Sequence, residues 1–151
     1  MITEIKQQLY NLCLHHVAEN IRSIEAAILE AREATRNETK SSMGDKYETT
    51  REMLQQDINM NMARLAKAKE DEEILKHINP QQNATNIASG SLVTTNNGSF
   101  YIAISAGKLT LDDKNYYAIS LSSPIGSQLK GKTVGNEFTL NGKQYKIEKV
   151  E

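Results

Sequence analysis

Two acidic side chains, Asp45 and Glu48, follow Gly44 in the run Gly44-Asp45-Lys46-Tyr47-Glu48-Thr49. Three apart on a helix, they share one face with Cβ atoms about 5–6 Å apart, close enough to converge on one cation. Mg²⁺ takes one or two protein carboxylates and fills its octahedron with water and phosphate oxygens. Two carboxylates without further ligands are half a site. They become useful where another molecule already holds a metal and a phosphodiester, since two-metal hydrolysis wants ions about 3.5–4 Å apart. The same acids suit the first turn of a helix, whose dipole favours negative charge. Arg36, Lys40, Lys46 and Arg51 surround the pair; they either steer it toward phosphates or form a solvated helix surface. Cys13, His15 and His16 also carry reactive atoms, but they lie within a helical stripe and without an acidic orienter, so packing is expected rather than a nucleophile–base pair.

The elements that must position these groups follow from hydrophobic spacing. Ile2, Ile5, Leu9 and Leu12 step by 3 and 4; after a skip at His16/Val17 the stripe resumes at Val17, Ile21, Ile24, Ile28 and Ala31. A second stripe passes through Leu54, Ile58, Met62 (or Asn61), Leu65, Ala68, Leu75 and Ile78, with Met53, Met60 and Met62 expected to fill the seam. Alternating steps of 3 and 4 trace the narrow seam of a coiled coil. Two antiparallel helices over residues 1–78, joined at a tip near 37–48, satisfy both stripes. Each helix of about 35 residues is roughly 50 Å long, so the expected product is a thin finger.

Residues 79–88 open with Asn79-Pro80 and are polar, a linker signature. From 89 to 151 the grammar changes to period two: Phe100, Ile102 and Ile104 on one face, Tyr101 and Ala103 on the other. Strands are predicted near 90–95, 99–105, 108–111, 116–121, 136–140 and 143–149. Asn96-Asn97-Gly98 and Asn141-Gly142 read as hairpin turns and Asp112-Asp113-Lys114-Asn115 as a longer one. Ser123 as N-cap, Pro124 at the first helical position and Gly131 after the last turn describe one short helix. The fold class is therefore α+β: a helical hairpin, then a small antiparallel sheet with one short helix.

Composition bounds the function. Among 151 residues, 18 Lys+Arg stand against 19 Asp+Glu, a net of −1, which argues against a protein that coats nucleic acid. Residues 1–78 carry 11 cations and 14 anions, net −3; residues 79–151 carry 7 and 5, net +2. The single cysteine excludes an internal disulfide and a Cys-rich zinc site. With no long apolar run and no signal pattern, the expectation is a soluble, cytoplasmic chain with no membrane partner.

The run at residues 119–138, ISLSSPIGSQLKGKTVGNEF, closely resembles the C-terminal signature of Gre-type transcript cleavage factors, I-S-x-x-S-P-[LI]-G-x-x-L-x-G-K-x-V-G-[DN]-x-[VF]. That family pairs a coiled-coil finger with an FKBP-like domain, and its tip carries two acids in a G-D-x-x-E-N context. Gly44, Asp45 and Glu48 keep that spacing here, while Tyr47 and Thr49 stand where the family has a small polar residue and Asn. The resemblance implies an RNA polymerase-binding, monomeric elongation factor of a class associated with DNA binding. It would not be an enzyme itself. Asp45 and Glu48 would assist a polymerase-bound Mg²⁺ in cleaving the nascent RNA 3′ end, and Arg36, Lys40, Lys46 and Arg51 would steer the tip toward RNA. Ser123, Pro124, Ile125, Gly126 and Lys132 would form the polymerase docking surface. Some relatives inhibit polymerase instead, and an FKBP-like sheet admits a third reading, peptidyl-prolyl isomerisation, for which the aromatic complement is sparse.

Overall fold

The computed structural model describes the backbone of residues 2–38 and 44–151 and the side chains of residues 4–37 and 48–151. Most of the expected tip, 37–48, lies outside the described residues. The elements are α1 (Ile2–Glu38), α2 (Gly44–Lys76), β1 (Leu92–Thr95), β2 (Gly98–Ile102), β3 (Gly107–Leu111), β4 (Lys114–Ile119), α3 (Pro124–Leu129), β5 (Glu137–Leu140) and β6 (Lys143–Val150). The fold is α+β, as the two grammars require. By contacts the chain divides into two units, residues 1–16 with 73–151, and Val17–Glu72. The stretch 79–88 falls inside the first.

In the unit Val17–Glu72, α1 and α2 run antiparallel: Asn20 and Ile24 share a groove with Ala68, whereas Ile28 and Arg32 share one with Met62 and Leu65. Ile24, Ile28 and Ala68 are buried together, with Ile21 and Leu65 packed against them. The seam on α2 passes through half-buried Asn61, not Met62. Met53, Met60 and Met62 are 62%, 50% and 45% exposed, which corrects the expectation that they fill it. A seam between two helices admits only a narrow row, and positions beside it face water. Asn61 Nδ2 donates to the Asp57 carbonyl at 3.0 Å, so the amide is satisfied on its own helix.

Toward its N-terminus, α1 continues the buried row without a skip. Val17, Cys13 and Leu9 follow one another by fours and are buried, while Leu12 is only half-buried. Cys13 closes the apparent gap by behaving as a small hydrophobe.

The sheet of the other unit has the order β3-β4-β2-β1-β6-β5. Its neighbours pair antiparallel except β2 and β4, which are parallel with Phe100 opposite Tyr117. The sheet is thus mostly antiparallel, with one parallel pair. Strand β3 carries the chain back, so β4 leaves in the direction of β2 and lies beside it. The predicted longer turn between β3 and β4 is also shorter than expected, because Leu111 pairs with Lys114. Asp112 and Asp113 take φ of 50° and 65°, the two positive values of a type I′ turn, and Asn141-Gly142 repeat it at 51° and 78°.

One sheet face packs Ile87, Val93, Phe100, Ile102, Leu129, Phe138 and Ile147 into a core, with Ile125 of α3 against it. On the opposite face Tyr101 and Ala103 are buried as well. Residues 1–16 supply the cover: Tyr101 lies near Cys13 and Tyr10, and Tyr10 Oη donates to the Leu75 carbonyl at 2.8 Å. Burying a ring of phenylalanine size gains about 1.5–3 kcal/mol. The hydroxyl of Tyr101, buried with no partner among the described residues, offsets about 1–3 kcal/mol of that.

Candidate functional site

Asp45 and Glu48 fall in the opening turns of α2, at the closed end of the helix pair. Glu48 is exposed; the side chains of Asp45 and Lys46, and all of Lys40, lie outside the described residues. Arg36, in the last turn of α1, and Arg51 are both exposed. Among the described residues no three His, Cys, Asp or Glu side chains gather as a metal site would need.

His15 and His16 are exposed while Cys13 is fully buried. Burial pushes the Cys13 thiol up to about 12, far from a nucleophile at neutral pH. These three residues do not form a catalytic group.

The signature at 119–138 has a detailed local explanation. Ser123 is the N-cap of α3 in an extended conformation; its Oγ accepts from Gly126 N at 3.0 Å and donates to the Ser120 carbonyl at 2.7 Å. Pro124 occupies the first helical turn, where its missing N–H costs nothing. At Gly126 a Cβ would collide with the Ser120 carbonyl oxygen. Gly131, at φ +79°, donates its N–H to the Ile87 carbonyl at 2.9 Å, and Ile87 N donates to the Lys132 carbonyl at 2.8 Å. Asn136 Oδ1 accepts from Thr133 N at 2.9 Å, closing the turn that contains Gly135. Of the predicted docking residues, Ser123 and Gly126 are thus engaged in building this corner. Pro124 is exposed, and Ile125 and Lys132 are half-buried, with Lys132 Nζ 6.0 Å from the Phe138 ring centroid.

Sequence reasoning missed a buried polar group. Lys6 is 1% exposed; its Nζ donates to the Gln82 carbonyl at 2.6 Å, with Asn83 Oδ1 at 3.5 Å. Burial lowers its pKa, and the charge of Glu151 opposes the shift in part. Glu151 is itself buried and receives Lys149 Nζ at 3.1 Å on Oε1, while Oε2 has no partner among the described residues. One signal was available: extending the row from Val17 through Cys13 and Leu9 lands on Lys6 three residues earlier.

No protein-family model matches the chain, and the curated proteins contain no match to it.

Proposed function

We propose that the chain is an RNA polymerase-binding elongation factor that presents Asp45 and Glu48 to the polymerase's catalytic metal and stimulates cleavage of backtracked RNA. The reading is carried by the resemblance of residues 119–138 to the Gre-type signature, in a chain whose first half is an antiparallel helix pair with that acidic pair at its closed end. From Val17 to Glu38, α1 spans about 33 Å at 1.5 Å per residue, a reach suited to a deep channel. Two carboxylates supply at most two ligands, so the rest of the coordination and the phosphodiester belong to the polymerase. Pro124, Ile125 and Lys132 are the proposed docking contacts on the other unit.

The test is a stalled elongation complex with 3′-labelled or internally labelled RNA, incubated with this protein. Shortened transcripts that can be re-extended support the reading. Asp45→Ala or Glu48→Ala should lower stimulated cleavage by about 10²-fold or more, as loss of a transition-state electrostatic contact does, with binding retained. Slowed synthesis without shortening identifies an inhibitor instead. Absence of polymerase association removes both readings.

A further inference from the structure

On the sheet face turned toward residues 1–16 there is a cleft of about 430 Å³, within the range of small-molecule sites. Ile5 and Leu92 give it an apolar wall, and the ring of Tyr116 borders it. Its floor is set by strand register. Thr94 lies opposite Ser99 on one side and opposite Lys149 on the other, so two hydroxyls and an ammonium stand in one cross-strand row. Neither hydroxyl has a side-chain hydrogen bond among the described residues.

Lys114 and Lys149 both line the cleft, and Glu151 is the acidic side chain on its wall. Lys149 already occupies Glu151 Oε1, which leaves Lys114 without an ion-pair partner among the described residues. Glu151, 9% exposed, keeps Oε2 as an unused acceptor. Hydroxyls that are only half-buried and a lone ammonium match an anion with several oxygens; the apolar wall and the Tyr116 ring match a flat organic body.

We propose that this cleft binds a small phosphate monoester carried on a ring, the phosphate held by Lys114, Thr94 and Ser99 and the ring set against Ile5, Leu92 and Tyr116. Nothing in it depends on the polymerase reading, because neither Asp45 nor Glu48 takes part. The experiment is a titration of the full chain with phenyl phosphate, followed by backbone amide shifts, with inorganic phosphate and phenol as parallel probes. Saturable shifts at Thr94, Ser99 and Tyr116 with Kd below about 10 mM are expected, tighter than for either control. Lys114→Gln should weaken binding about tenfold, since a charge-assisted hydrogen bond to phosphate is lost. Thr94→Val should weaken it several-fold, and unchanged amide shifts in α3 show that both variants remain folded. The proposal is overturned by absence of saturation, by equal binding of inorganic phosphate, or by affinity unchanged in both variants.

Discussion

Replacing Gly126 with Ala separates two opposite expectations. In an open helix position, Gly→Ala gains about 1 kcal/mol from propensity. Gly126 lies within α3 and is not one of the positive-φ glycines, so backbone conformation raises no objection to alanine. Space does. The new Cβ would meet the Ser120 carbonyl oxygen, its carbonyl carbon at 2.9 Å and Ser123 Oγ at 2.8 Å. That carbonyl accepts from Ser123 N at 3.2 Å and from Ser123 Oγ at 2.7 Å, so moving it weakens two hydrogen bonds together. At about 1 kcal/mol per hydrogen bond, plus about 1–3 kcal/mol for overpacking, the loss is about 3–5 kcal/mol. Subtracting the propensity gain leaves a net destabilisation of about 2–4 kcal/mol. Urea unfolding followed by tyrosine emission reports it, because Tyr101, Tyr116, Tyr117 and Tyr145 belong to this unit. Amide exchange at Ile87 and Gly131 should accelerate in parallel. Equal or greater stability in the Gly126→Ala protein refutes the steric account and returns the glycine to some other requirement.

Two titrations provide further checks. Lys6 has a lower pKa folded than unfolded, so between those values the unfolded chain binds the extra proton and stability rises with pH toward about 10.4. Lys6→Met should flatten that rise in unfolding curves measured at several pH values; an unchanged slope removes Lys6 from the ledger. Cys13 behaves oppositely. Its folded pKa of about 12 exceeds the unfolded value of about 8.5, so stability falls by about 1.4 kcal/mol per pH unit between them. Cys13→Ala should abolish that share of the alkaline loss, and thiol labelling of the folded protein at pH 8 should proceed only as fast as opening exposes the sulfur.

Legibility tracked how local each determinant is. Asn141-Gly142 and the Ser123–Pro124 cap were readable because a turn type and an N-cap are decided within four residues, and the structure has both. The helix pair was readable because a 3-4 spacing sustained over many turns fits little else. The row was read with a skip at His16/Val17 because it was followed through Leu12, whereas the buried positions step from Leu9 through Cys13 to Val17. Met53, Met60 and Met62 were misplaced because hydrophobicity alone does not say which side of a narrow seam a residue occupies. Burial of Tyr101, pairing of β2 with β4 and the Lys6–Gln82 contact all depend on segments far apart in the chain, and no window of sequence contains them. Of the candidate site, the spacing of Asp45 and Glu48 was legible, and exposure is described for Glu48. The steric reason for Gly126 became visible only once the Ser120 carbonyl was seen opposite it.

Because residues 1–16 belong to the same unit as 73–151, the boundary suggested by Pro80 is a poor place to cut. A fragment beginning there would lose the cover over Leu92 and Tyr101 and leave a greasy sheet surface facing solvent. During synthesis the first sixteen residues emerge well before the strands with which they share a unit.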